Sequence, residues 1–483
     1  MSAPIRSALV LCMAAAALAG CASFDGLRAN AKALDAAGLA ATESLAVLPA
    51  KADVWPAEDW WKSYGDAQLN SLIGEALAGS PRLAIARARI EQADALARAA
   101  DAARWPQFGA GGEIDRQRYT EHGLYPPPFG GSTLSSGQLA LNFSYQFDFW
   151  GRQRSALDAA LSRARAAAIE GEAARLALAA AVAQSYVELD HQYALREVAE
   201  ASAKQREQIR DLTVLRVRAG LETNVELRQS ASALFAARTD IEIANERIAL
   251  LNNAIAALLG QGPDRGRAIA RPQLHAGQAA ILPSHLPADL LGRRPDVLAQ
   301  RLRVEAAGAD IAVARAGFYP NVDLTSFLGF QSIGLDQLLK SGSRMGGIGL
   351  AFSLPIFDGG RLRANLAGRD ADYDLAVEQY NATLVDALRE VADSVNSWHA
   401  IDRQSAEQAK AQSEAEEAYR LALLRYRGAL SSYLTVLSVE AQVLTQQRLA
   451  ADLRARRLTA SIALNRALGG GFHAETMDSQ ASR

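Results

Sequence analysis

The sequence predicts a mostly helical protein that carries a membrane β-barrel, four strands to a chain, built from a duplicated unit. Three observations lead there. First, Leu139, Leu141, Phe143, Tyr145, Phe147 and Phe149 alternate with Ala140, Asn142, Ser144, Gln146 and Asp148. A period of two puts the apolar side chains on one face of a strand, and the stretch suits a tilted membrane strand of about 9–11 residues. Second, beyond Trp150, Gly151 and Arg152 the period turns helical at Leu157, Leu161, Ala164 and Ala168, and no proline stands between Pro128 and Pro263. A helix over Arg152–Arg218 is roughly 100 Å long at about 1.5 Å per residue. Third, this strand-into-helix pattern occurs twice.

The N-terminus reads as an export signal over 1–20. Arg6 supplies the positive charge, and Ala8 to Ala17 is an apolar run too short to remain as a membrane span. Leu18-Ala19-Gly20-Cys21 resembles the bacterial lipobox, whose cysteine becomes the first mature residue and carries the lipid. That resemblance implies lipidation at Cys21 and, with Ala22 following, delivery to the outer membrane. Cys12 leaves with the signal, so no intrachain disulfide is expected.

Residues 21–80 hold the lipidated segment and a first helix, marked by Leu69, Leu72, Ile73 and Leu77 behind Trp60, Trp61 and Tyr64. Repeat 1 spans 81–260. Ser80-Pro81 is an N-cap followed by proline at the first helical position, and Trp105-Pro106 ends that helix. A hairpin follows over 108–149, its first strand blurred by Gly109, Gly111 and Gly112 and its loop marked by Pro126, Pro127, Pro128, Gly130 and Gly131. Helices are expected over 152–218 and 223–259. Residues 261–294 are a linker. Repeat 2 spans 295–469, with a hairpin over 321–356 and helices over 361–427 and 432–468. Residues 470–483 form a tail.

The duplication rests on two offsets. Pro81 and Pro106 recur 214 residues later as Pro295 and Pro320. Beyond the hairpins the offset is 209: Gly151-Arg152 matches Gly360-Arg361, Arg216 and Arg218 match Arg425 and Arg427, and Leu259-Gly260 matches Leu468-Gly469. A constant offset means no insertion across either long helix. Two hairpins give four strands, and an open edge in lipid leaves backbone groups unpaired at several kcal/mol each. Several chains must therefore share a barrel. Two would give eight strands and a filled interior; three give twelve, and the polar inner faces favour a wet lumen. The helix lengths fit a second, α-helical barrel below it.

A net charge of −2 gives nucleic acid no footing. The six histidines are dispersed without metal-ligand spacing, and no nucleophile elbow or phosphate loop is present. No catalytic residues, cofactor or metal are expected. Arg293-Arg294 reads as a helix-start ion pair with Asp289 or Asp296.

Leu286-Pro287-Ala288-Asp289-Leu290-Leu291-Gly292-Arg293-Arg294-Pro295-Asp296-Val297 resembles the LPSDLLxRRPDI signature of the outer membrane efflux protein family of TolC and OprM, in its lipoprotein (NodT-type) branch. Tyr426-Arg427, Tyr433-Leu434, Val436-Leu437 and the ending Ala467 to Gly471 are similar to it too. The resemblance covers nearly all of the mature chain. It implies a homotrimer with a 12-stranded barrel in outer-membrane lipid and a periplasmic α-barrel. It also implies a periplasmic adaptor and an inner-membrane pump, usually of the resistance-nodulation-division class, as partners in efflux. A gate at the periplasmic tip is implied at Ala219–Glu222 and Gly428–Ser431. Glu226 falls where the contact carboxylate belongs and Tyr426 where its tyrosine partner does, with Arg427 beside it. Ser431, Thr435 and Ser438 stand where members often carry charge, so fewer ion pairs are expected. A coiled-coil lipoprotein without a pore and a duct for type I protein secretion are the alternatives, and bilayer conductance separates the first of them from a channel.

Overall fold

The structure, a computed structural model, describes residues 26–40, 55–275 and 292–473. Cys21 and the signature residues Leu286 to Leu291 lie outside the described residues. In chain order the main elements are α1 (Ala67–Gly79), α2 (Pro81–Ala102), β1 (Gln107–Arg118), β2 (Thr133–Phe147), α3 (Arg152–Arg218), α4 (Asn224–Leu258), α5 (Pro295–Ala316), β3 (Asn321–Ile333), β4 (Arg344–Ser353), α6 (Arg361–Arg427) and α7 (Tyr433–Ala467). The duplication is plain in these bounds. Helices α3 and α6 have 67 residues each and α4 and α7 have 35 each, every pair displaced by 209; α2 and α5 have 22 each, displaced by 214. The stretch read as a linker holds one turn of helix, Pro263–Gly266, among its described residues.

Two compact units form, and neither is one repeat: 90–167 and 300–380 join the N-terminal segment in the first, while 34–89, 168–299 and 381–483 make the second. Each repeat contributes its hairpin to the first unit and its helix-to-helix turn to the second.

The first unit contains one antiparallel sheet in the order β1-β2-β3-β4, so β1 and β4 are its edges. The β2–β3 pairing joins the hairpins of the two repeats. Register assigns the faces. Phe108, Phe143, Ser326 and Ile348 form one row across the sheet; Ala110, Leu141, Leu328 and Gly346 form the next on the same face. Phe108, Ile348 and Leu350 on this face are 81%, 77% and 70% exposed, a large apolar surface that one chain does not cover. The opposite face carries Asn142, Ser144, Gln146, Asp323 and Thr325.

Strand β2 corrects the expectation of 139–149. It begins six residues earlier, because Thr133 to Gln138 pair with Arg118 to Glu113 despite lacking any alternation. It stops at Phe147, because Asp148 turns away to cap α3, its carboxylate accepting from the Gln153 and Arg154 N–H groups at 3.1 and 2.9 Å. Likewise β4 ends at Ser353, short of Pro355, which has no N–H to pair. Strand β1 is not weakened by its glycines; all of its residues pair with β2. Below the sheet, Leu27 and Ala29 pack on Leu362 and Tyr373, and the Asn30 and Ala31 N–H groups both donate to Asp374 Oδ1 at 2.8 Å.

The second unit is centred on α1. Asp66 caps it by accepting from Gln68 and Leu69 N–H, and Leu69, Leu72 and Ile73 are fully buried against Tyr186, Leu189, Ile255 and Ile462. Tyr64, in the same core, donates to Ser461 Oγ at 3.0 Å, and burial pushes its phenol up to about 12. Both repeats close alike. Gly260, at φ +76°, leaves no room for a Cβ, which would fall 2.7 Å from the Gly79 carbonyl oxygen; Gly469, at φ +88°, leaves none beside the Arg293 carbonyl. Gly79 and Arg293 are themselves 214 residues apart, so one close approach has been duplicated. Arg294 pairs with Asp296 at 2.5 Å and with Glu390 at 2.9 Å, the ion pair expected at that helix start.

Candidate functional site: the two helix-to-helix turns

The turns joining α3 to α4 and α6 to α7 are the matched break in each repeat. Both chains of turn residues close with the same backbone bonds. Gly220 N–H donates to the Val217 carbonyl at 3.0 Å and Leu221 N–H to Arg216 at 2.9 Å; Ala429 N–H donates to Tyr426 at 3.0 Å and Leu430 N–H to Arg425 at 2.8 Å. This is the Schellman pattern, which needs a left-handed residue after the helix. Gly220 supplies it at φ 72°, and Ala429 adopts it at φ 58° despite its Cβ.

The helices then restart differently. Thr223 accepts from the Val225 N–H at 3.1 Å while Glu226 accepts from the Thr223 N–H at 2.9 Å and from its hydroxyl, a capping box. These bonds, the Thr223 hydroxyl first, hold the Glu226 carboxyl below its ordinary range. Ser432 caps α7 without a side-chain bond to the backbone.

Behind the turns lies a sealed cluster. Tyr426, Tyr433, Val436 and Ile209 are buried together. The Tyr426 hydroxyl lies 3.1 Å from Thr213 Oγ1 and donates to Glu222 Oε2 at 3.0 Å. Arg216 Nε stands 3.2 Å from Glu222 Oε1, its Nη1 donates to the Tyr426 carbonyl at 3.0 Å, and its guanidinium lies 4.5 Å from the Tyr426 ring centroid. The side chains of Arg216 and Glu222 are largely covered, at 11% and 7% exposure, so each needs the other. Burial raises the Tyr426 phenol, and Glu222 raises it further.

About two to three turns further from the helix ends, Arg206 Nε donates to Glu440 Oε1 at 3.2 Å and its Nη1 to the Ala233 carbonyl at 2.8 Å. Glu440 is 1% exposed, its second carboxylate oxygen has no partner, and burial raises its carboxyl against the pull of Arg206. Burial pushes Tyr433 up to about 12.

The expected pairing of Tyr426 with Glu226 is therefore corrected within the chain. The carboxylate on Tyr426 is Glu222, and Glu226 is half-buried and occupied with its own helix start. Arg427 and Thr435 are exposed, and Ser431 is half-buried with a buried hydroxyl that has no partner. Sequence reasoning missed Glu222, Thr213, Arg206 and Glu440. The i, i+3 spacing of Thr213 and Arg216 on one helix face was the available signal, but nothing local announced their partners some 210 residues away.

The profile of the family described as outer membrane efflux protein matches residues 72–261 and 286–470, one match to each repeat. The fusaric acid resistance protein FusA of Burkholderia cepacia is 38% identical over 73% of this chain and 67% of its own length. The multidrug resistance outer membrane protein MdtP of Escherichia coli (strain K12) is 33% identical over 87% of this chain and 88% of its own. The crystal structure of the outer membrane protein VceC from Vibrio cholerae superposes with a TM-score of 0.82 at 40% identity, covering 87% of this chain and all of that one. With both repeats matched and the fold shared with a solved outer membrane protein, the chain belongs to the outer membrane efflux protein family.

Proposed function

We propose that three copies of this chain form the exit duct of a tripartite efflux system, exporting drugs or other small toxic solutes across the outer membrane. The observation that carries this is the four-stranded sheet with an exposed apolar face, a polar face and two unpaired edges. Such a sheet persists in lipid only if its edges close on other strands. Twelve strands leave a water-filled interior for the polar face, with Phe143 and Tyr145 toward lipid and Ser144 and Gln146 toward the lumen. The helices form the periplasmic α-barrel, which docks a periplasmic adaptor and, through it, an inner-membrane pump of the resistance-nodulation-division class. A lipid on Cys21 anchors the chain; an intact mass carrying three acyl chains on that cysteine tests it.

The helix-to-helix turns are read as the periplasmic gate, with Glu226, Tyr426, Arg427, Ser431 and Thr435 at the closure and Glu222 and Arg216 fixing Tyr426 from behind. Conductance of purified trimer in planar bilayers tests the whole reading. Wild type is expected to conduct in small steps, and Glu226→Ala with Tyr426→Phe to conduct more. A protein that inserts without conducting overturns the duct, and a double variant indistinguishable from wild type overturns the gate.

A further inference from the structure

The charges on the four strands are sorted by face. Glu113, Asp115 and Asp323, all the acidic residues of the strands, lie on the polar face. Arg116, Arg118 and Arg344, all their basic residues, lie on the apolar face: Arg344 shares a row with Phe330 and Leu139, Arg116 pairs with Ser135 and Arg118 with Thr133. All three stand at the hairpin-loop end. The opposite end of the same face carries Phe108, Phe147, Val322 and Phe352 and no charge.

Depth explains the placement. From Phe147 to the Leu139 row, β2 advances about 27 Å, or about 20 Å of depth at a barrel tilt of roughly 40°. Arg344 thus sits at the upper edge of an apolar band of about 25 Å, and Arg116 and Arg118 stand beyond it. All three side chains are exposed; Arg118 approaches Glu121 at 3.9 Å. Beside Arg344 runs a groove of about 510 Å3 lined by Ala110, Leu139, Leu141, Leu328 and Phe330, where Gly112 and Gly346 supply no side chain to the face. Moreover, Arg344 is on one edge strand and Arg116 and Arg118 on the other, so closure by copies brings them onto adjoining strands.

We propose that this band binds lipopolysaccharide, with Arg344 and Arg116 on its phosphate groups and an acyl chain in the groove. The inference rests on the barrel reading above. An arginine on a lipid-facing surface is costly unless it reaches headgroups, and a guanidinium fork matches a phosphate. The band lies at the end of the sheet away from the helices, which faces the outer leaflet.

The test uses purified full-length trimer, with lipopolysaccharide or phosphatidylglycerol bicelles as probe. Wild type should retain lipopolysaccharide through gel filtration and dissociate at a higher temperature with it than with phosphatidylglycerol. Arg344→Gln with Arg116→Gln should bind it roughly tenfold more weakly, the loss expected for charge-assisted bonds, while Glu113→Gln, on the other face, should bind as wild type. Equal binding by the arginine variant, or equal stabilisation by phosphatidylglycerol, overturns the proposal. Bilayer conductance of each protein separates the two failures: a conducting trimer whose lipid binding ignores the arginines sinks only this site, whereas a wild type that neither trimerises nor conducts sinks the barrel as well.

Discussion

The two helix-to-helix turns share a backbone pattern and differ in every side chain that reinforces it. At the first, glycine takes the left-handed position, a capping box restarts the helix, and Glu222 binds both Arg216 and Tyr426. At the second, alanine is forced into that position and Ser432 gives no side-chain bond to the backbone, only a long contact of 3.4 Å to Thr435 Oγ1. Duplication copied the turn; local chemistry then made one copy firm and left the other strained. The second turn is accordingly the one that yields first, and native-state hydrogen exchange should show Ala429–Val436 opening more readily than Gly220–Leu227.

Removing Glu222 should reverse that order. Glu222→Ala leaves the largely covered Arg216 guanidinium without its counter-charge and the Tyr426 hydroxyl without its carboxylate acceptor, a cost of about 3 kcal/mol. Amide protection across Gly220–Leu227 should then fall about 100-fold. Unchanged protection would show that the Arg216–Glu222 pair contributes nothing.

Acid should separate the turns in the opposite sense. The Glu440 carboxyl is raised by burial, so its contribution is present at low pH and is lost as pH rises through the raised folded value. The Glu226 carboxyl is lowered, so its contribution persists on acidification until pH falls below the ordinary carboxylate range. Moving from neutral to mildly acid pH should therefore tighten α7 around Val436–Val443 and leave Thr223–Glu226 unchanged, after correction for intrinsic exchange. Glu440→Gln should abolish the response; its survival in that variant would assign it elsewhere.

Smaller effects come from the left-handed positions. Gly220→Ala should cost about 1–2 kcal/mol of local stability, a purely conformational loss because no atom lies within 4 Å of the added Cβ. Ala429→Gly should gain about 0.5 kcal/mol, since relief of strain exceeds the entropy glycine adds to the unfolded chain. Hydrogen exchange across each turn reads both changes, and equal effects of either sign would remove the asymmetry.

Much of this was legible in the chain. The ends of α3 and α6 at Arg152, Arg218, Arg361 and Arg427 followed from one repeated offset, since an insertion anywhere would have broken it. The early start of β2 was hidden because Ser135, Ser136 and Gly137 carry no periodicity and become strand only by pairing with β1. Tyr426 was expected beside Glu226 and lies against Glu222 instead, because spacing within a turn does not say which carboxylate faces a tyrosine on another helix. The sorting of Arg116, Arg118 and Arg344 needed the register, which no single strand discloses.

The central claim is that the sheet of one chain is a third of a barrel. Native mass spectrometry of protein extracted intact from outer membranes tests it most directly. The account predicts a complex of three mature chains, with no monomer until it is denatured; a folded monomer or a dimer would contradict it.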